Sequence, residues 1–397
     1  MPHTPQPARA FIPMMALMMS MVALAIDIML PAFPAIRADL GVVDPADVQL
    51  VLTVLFLGFA FSQLIVGPLS DTYGRRPVIF ITFGLVVMGG LLSALATSFE
   101  MLLVGRFLQG VGIAGPRILA NAIIRDLFDG RGMARVMSTI MMTFIMVPVL
   151  APLVGQSIEI AAGWRAIFAF LIIMALISCT WYGLSQAETL APENRRPFSI
   201  GMIARGIAEV FRTRPAIGYT ITNGMMFGPF LAYLSTTQAI YQDIYKVGTM
   251  FPLYFALGAG TIGIASFVNA KLVERLGMLI LARKAFAFAF GAIGLFCIWC
   301  LLSGGIPPMW TFVGFVMIVF FCIGLNFGNI TALAMEPLGH MAGMGAAVFG
   351  CASTLISLPI AWGIGQAYAD TVTPLAFGFL IAAGLALVSF EWAARAR

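Results

Sequence analysis

The chain has 397 residues, 61% of them hydrophobic and only 10% charged, with a net charge of +5. Soluble globular proteins are roughly 25% charged and about 45–50% apolar, so this composition describes an all-α integral membrane protein and excludes a soluble enzyme. The positive balance lies in loops and forms no basic, aromatic-interleaved surface, so nucleic acid is not an expected partner.

A spanning helix takes about 20 mainly apolar residues. Runs free of ionisable side chains mark spans at 10–36, 48–70, 77–99, 136–158, 166–187, 215–242, 247–270, 341–369 and 371–390. The run 285–335 is too long for one span, and Ser303-Gly304-Gly305-Ile306-Pro307-Pro308 divides it into two. Residues 101–124 supply the twelfth span, which carries Arg106 and Arg117. The first span imitates a signal peptide, with Arg9, an apolar run and Ala23-Leu24-Ala25. The run continues to Pro34, which is long for a cleaved leader, so a retained helix is predicted.

Loop charge sets the expected orientation. With the N-terminus inside, cytoplasmic segments hold 17 of the 22 Lys and Arg residues, and the outer loops hold only Arg37, Arg165 and Lys246. Both termini are predicted to be cytoplasmic. The longest loop contains Pro192, Pro197 and five arginines, with a surface helix expected near 200–211. It separates an N-terminal six-helix half, 1–187, from a C-terminal half, 215–397, through a linker, 188–214. Paired halves are an arrangement found in transporters built from repeats. Asp71-x-x-Gly74 after the second span is echoed by Glu274-x-x-Gly277 after the eighth.

Asp27 is the first site candidate. A charge at the centre of a membrane helix costs roughly 2.5–3.5 kcal/mol on insertion scales, and such residues mark functional sites. Arg106 and Arg117 are eleven residues apart, about three turns, and so share a face of the fourth span. Asp27 and Arg106 come to similar depths, which permits a direct or water-mediated interaction. Two readings follow: Asp27 binds a coupling proton that Arg106 tunes, or the two form a static ion pair. Arg117 either contacts an anionic substrate group or anchors the inner mouth. His3 and His340 lie outside the spans, so a carboxylate is the expected proton carrier.

Gly67-Pro68-Leu69-Ser70-Asp71-Thr72-Tyr73-Gly74-Arg75-Arg76 joins the second and third spans. Gly67 is expected to admit a neighbouring helix and Gly74 to allow a tight turn. Asp71 is expected to accept from N–H groups at a helix N-terminus, while Arg75 and Arg76 pair with acids on adjacent helices. Such contacts suit a conformational latch; a solvated turn is the simpler alternative.

Polar side chains that are candidates for a substrate cavity are Arg117, Asn223, Tyr233, Asn326 and Asn329, although interhelical hydrogen bonding explains such residues equally well. Cys297-Ile298-Trp299-Cys300 lies mid-span with no further ligand nearby, so packing thiols rather than a metal site are expected. Gly110-Val111-Gly112-Ile113-Ala114-Gly115 matches a dinucleotide fingerprint, but that motif needs a preceding strand. Within a span, small residues permitting close helix contact are the better reading.

The pattern G-x-x-x-D-x-x-G-R-R in the loop before the third span resembles the signature of the major facilitator superfamily. "GRFLQGVG" (Gly105 to Gly112), "IDIMLPAFPAI" in the first span and "GWRAIF" (Gly163 to Phe168) resemble motifs of its Bcr/CflA-type drug:proton antiporters. The fifth span departs from that pattern: Pro152 and Gly155 match, whereas Pro148 and Ala151 replace small or glycine positions. The kink at Pro148, Pro152 and Gly155 is still expected. The resemblance implies a monomeric exporter in a bacterial inner membrane, driven by the proton gradient without cofactor or metal. Its expected cargo is a small amphipathic or apolar drug-like molecule. The alternative is a transporter of a metabolite or nutrient with the same fold.

Overall fold

A computed structural model describes residues 10–396, without the side chains of residues 45, 131, 134, 138 and 141–145. His3 and Arg9, and with them Arg397 and the side chain of Arg131 from the 17 cytoplasmic Lys and Arg residues, lie outside the described residues. In chain order, α1 is Phe11–Asp27, α2 Phe33–Asp39, α3 Leu50–Tyr73, α4 Arg75–Ala94, α5 Phe99–Leu127, α6 Gly130–Ala162 and α7 Trp164–Ser185. Then follow α8 Ile200–Arg212, α9 Arg214–Ala239, α10 Phe251–Leu276 and α11 Met278–Leu302. Finally come α12 Met309–Met335, α13 Ala342–Gln366 and α14 Thr373–Ala394.

Only helices and closed barrels satisfy the backbone inside lipid, and every regular element among the described residues is helical. α1 and α2 form one broken span and α8 is too short to cross, which leaves the twelve spans expected. Several helices outrun their charge-free windows: α11 begins at Met278 and includes Arg283 and Lys284. The window marks the hydrocarbon, whereas a helix continues into the interface, where charges stay hydrated. The break expected at Ser303–Pro308 is present, with Gly304 and Gly305 at φ +63° and +87°.

Contacts divide the chain into two compact units. One comprises Met1–Val42 with Leu50–Ile200, and the other Val43–Gln49 with Gly201–Arg397. The segment 188–214 is thus shared between them at Ile200. In the first unit α5 packs on α3 and α4, α4 on α7, and α1 on α5 and α6. In the second, α12 packs on α10 and α11, α11 on α14, and α9 on α12 and α13. Numbered by spans within each half, these are the same pairs: second with fourth, third with fourth, third with sixth, first with fourth and first with fifth. The two halves are pseudo-repeats in packing, far more plainly than in sequence.

The small residues of α5 explain how closely it is held. A Cβ added at Gly110 would lie 2.0 Å from the carbonyl oxygen of Leu55 on α3, and one at Gly112 would lie 2.7 Å from that of Thr82 on α4. The G-x-G-x-x-G run is therefore a helix-packing surface. α8 has a different character: Ile200, Met202 and Phe211 are exposed on a helix that also carries Arg205 and Arg212. Gly206 seats this helix against Met344 of α13, where a Cβ would come within 2.3 Å.

Candidate functional site

Asp27 is the last residue of α1 and is 5% exposed. The helix ends there because Pro31 has no N–H to donate to the carbonyl four residues earlier, that of Asp27, and Pro34 does the same to Leu30. A short 3-10 turn, Leu30–Ala32, carries the chain into α2. α6 packs on this break. Its Gly155 sits so close that a Cβ would lie 2.0 Å from the Ile28 carbonyl oxygen, and Pro152, one turn before, is also buried. Pro148 and Pro152 lie within α6, each withdrawing one backbone donor from its ladder. α1 thus ends beside a continuous helix whose ladder lacks two donors. Among the described residues no hydrogen bond or ion pair reaches the Asp27 carboxylate.

Arg106 is fully buried in α5. Its Nε donates to the Val51 carbonyl at 3.3 Å, Nη1 to Gln109 Oε1 at 2.9 Å and Nη2 to the Ala25 carbonyl at 2.9 Å. The guanidinium also lies 5.8 Å from the centre of the Phe168 ring. A direct pair with Asp27 is not formed, so the direct contact and the static ion pair drop out of the expectation. Neutral acceptors on α1, α3 and α5 take up the guanidinium, and it reaches the backbone two residues before Asp27 instead of the carboxylate.

The loop between α3 and α4 is a dense polar cluster. Gly74 adopts φ +101°, the left-handed region where a side chain would be strained. Arg75 is buried; its Nη1 donates to Asp71 Oδ1 at 2.5 Å and Ser70 Oγ at 2.7 Å, and its Nε to Asp126 Oδ2 at 3.1 Å. Arg76 donates to the carbonyls of Gly183 (2.6 Å) and Gln186 (2.8 Å).

Three expectations change here. Asp71 does not cap a helix; its carboxylate faces Arg75. Gly67 has open space where a Cβ would stand, so it admits no neighbour; its carbonyl instead accepts from Ser70 Oγ at 2.8 Å. Arg76 is held by carbonyls at the end of α7 rather than by an acid.

Sequence reasoning missed the residue that organises this cluster. Glu188 accepts from the N–H groups of Arg75 (2.9 Å) and Arg76 (3.0 Å), the first two of α4. It also accepts from Thr189 and Leu190 N–H at 3.1 and 3.0 Å. Burial acts to raise the Glu188 carboxyl's pKa, but the four N–H donors outweigh it and hold it below the ordinary value. Thr189 Oγ1 donates to Asp126 Oδ2 at 2.9 Å, and Thr72 Oγ1 to the Arg196 carbonyl at 2.8 Å. The Arg196 N–H donates to the Asp71 carbonyl at 2.9 Å. The stretch after α7 is therefore stitched to the α3–α4 loop. The sequence shows an acid just after the sixth span, but not that it faces the start of α4.

The polar candidates of the second unit separate into different roles. Asn329 donates from Nδ2 to Asn269 Oδ1 at 2.7 Å, which joins α12 to α10. Tyr233 is buried against the rings of Phe255 and Phe320, at centroid distances of 6.3 and 4.9 Å. Both make interhelical contacts within the unit, the role that the simpler reading gave them. Asn326 lines a cavity of about 30 Å³ with Met225, Pro229 and Phe286, room for a single water-sized molecule. Asn223 is buried in α9, and among the described residues no hydrogen bond reaches its Oδ1. Arg117, half-buried in α5, lies over the Phe59 ring at 5.8 Å.

Residues 15–363 match the family model described as Major Facilitator Superfamily. A transporter of Bacillus subtilis, described as the uncharacterized MFS-type transporter YdgK, is 33% identical over 84% of this chain and 83% of its own. A bicyclomycin resistance protein homolog of Haemophilus influenzae is 31% identical over 89% of this chain and 88% of its own. Among solved structures, a D-xylose-proton symporter superimposes with a TM-score of 0.75 at 13% identity, covering 97% of each chain. That similarity is one of fold.

Proposed function

Since the chain belongs to the major facilitator superfamily, and within it to the Bcr/CflA-type transporters, we propose that it exports small drug-like molecules in exchange for protons. The resistance named for its Haemophilus relative favours drugs as cargo. The observation that carries the coupling is Asp27: a buried carboxylate at a helix break, without an ion pair among the described residues, next to the Ile28 carbonyl on which Gly155 of α6 packs.

An ionised group in that position carries the cost of a charge inside the membrane, and taking up a proton removes it. The interrupted backbone on either side gives the chain a place to bend. Proton loss and bending are thereby linked: the state that opens Asp27 to water favours the ionised form, and the state that closes it favours the neutral form. Arg106 fixes the wall of this site by joining α1, α3 and α5 through carbonyl acceptors. The cluster around Glu188, Arg75 and Asp126 serves as the latch of one conformational state. The protein works as a monomer in a bacterial inner membrane with both termini in the cytoplasm, as its loop charge favours. The proton gradient drives it and no cofactor is needed.

The test is Asp27→Asn in inverted membrane vesicles supplied with a pH gradient. Wild type accumulates drug as the gradient is applied, and the variant is inserted normally but does not. A variant that folds and retains full gradient-driven accumulation would exclude Asp27 as the coupling group.

A further inference from the structure

Of the three arginines of α5, Arg106 and Arg117 lie deep in the span and Arg125 in its last turn, and the surroundings of the first two differ. Every nitrogen of the Arg106 guanidinium donates to a protein acceptor. Arg117, three turns further on, has no hydrogen bond or ion pair from its guanidinium among the described residues; it has only the Phe59 ring at 5.8 Å. An arginine carries five N–H donors and is always charged. In a membrane span such a residue faces the bundle interior or a wet space and is paired. Here no pairing group is found among the described residues, while the side chain is only half-buried.

Two further groups in the same neighbourhood are short of partners. Gln63 stands one turn after Phe59 on α3, and its buried Nε2 has no acceptor among the described residues. Asn121 stands one turn after Arg117 on α5; its Nδ2 donates to the Arg117 carbonyl at 3.1 Å, while its buried Oδ1 has no donor among the described residues. Residues four apart share a helix face, and α3 and α5 are joined nearby by Ser62 Oγ donating to the Val111 carbonyl at 2.7 Å. The aromatic ring, the two lone donors and the lone acceptor therefore belong to one packed pair of helices.

We infer that Arg117, Gln63 and Asn121 form a recognition site for the anionic group of an amphipathic substrate, with Phe59 beside it. The guanidinium and the Gln63 amide donate to a carboxylate or sulfonate, and Asn121 Oδ1 accepts from an N–H or O–H on the adjoining atom. The inference rests on the proposed export function and gives its cargo a class: aromatic or apolar organic anions. A lipid phosphate shares the anionic chemistry and is the competing source.

The experiment measures equilibrium binding of 1-naphthaleneacetate and its neutral isostere 1-naphthaleneacetamide to the full chain in phosphatidylcholine nanodiscs. A charge-assisted hydrogen bond favours the anion by about tenfold or more. Arg117→Gln removes that preference, Arg117→Lys keeps part of it, and Gln63→Ala lowers it a few-fold. Gly314→Ala on α12, where a Cβ meets nothing within 4 Å, leaves it intact; binding is read without a gradient, so a failure of proton coupling is seen in transport and not in this measurement. Equal binding of acid and amide by wild type, or no binding of either, overturns the inference. So does an undiminished preference in Arg117→Gln; if that variant does not fold, unchanged preference in both Arg117→Lys and Gln63→Ala does the same. Repeating the titration in phosphatidylglycerol nanodiscs separates the sources. Arg117-dependent loss of naphthaleneacetate binding there assigns the site to lipid and overturns the substrate reading.

Discussion

Replacing Glu188 by alanine removes the acceptor for the first two N–H groups of α4, those of Arg75 and Arg76, and for the N–H groups of Thr189 and Leu190. Losing a helix cap costs about 1 kcal/mol, and losing a negative charge at a helix N-terminus about 0.3–1 kcal/mol. The site is partly open to water, which can replace some of the bonds, so the expected total is about 1–2 kcal/mol. That is a roughly 5–30-fold shift in the local opening equilibrium. Hydrogen exchange of the peptide covering residues 74–82 reads it directly. Glu188→Ala should exchange faster by that factor and Glu188→Gln by less, with α11 unchanged. The pH dependence has a definite sign. The carboxyl is held below its ordinary value in the folded protein, so its stabilisation is complete above the unfolded value, about 4.3. It is lost only as pH falls through the lower folded value. Protection of the α4 start should therefore be flat from neutral pH to about 5 and fall below about 4. Unchanged exchange in Glu188→Ala, or equal acceleration in α11, would refute the cap.

Gly155→Val places carbon against the Ile28 carbonyl, where even a Cβ comes within 2.0 Å. Overpacking of this kind costs about 1–3 kcal/mol, so a lowered melting temperature and lost transport are expected. Gly314→Ala in α12 is the control, because a Cβ there meets nothing within 4 Å; it should leave the melting temperature unchanged or raise it. A double-mutant cycle between Asn329→Ala and Asn269→Ala should give a coupling near 0.6 kcal/mol, the average for interhelical hydrogen bonds in a membrane; zero coupling would remove the clamp between α10 and α12. Arg106→Lys keeps the charge but cannot present three acceptors with a planar fork. Loss of thermal stability is the expected outcome, and an unchanged melting curve would show that the carbonyl contacts contribute nothing.

The spans were legible from sequence because lipid imposes a one-dimensional rule: about 20 apolar residues and an internally satisfied backbone. The break in the first span was legible only in part. Pro31 and Pro34 were recognised as a motif, but the end of α1 falls at Asp27 because a proline frees the carbonyl four residues before it. Gly74 was read correctly because a positive φ is a local property. The partners were not legible. Glu188 lies 113 residues from Arg75, and Arg106 is held mostly by backbone carbonyls, which every residue possesses and which no side-chain pattern announces. Tertiary structure also separated two arginines that the sequence placed on one face, satisfying Arg106 and leaving Arg117 open. Composition and periodicity settle where a helix runs. Which of its polar groups find a partner depends on the neighbouring helices, and those are chosen by packing between segments far apart in the chain.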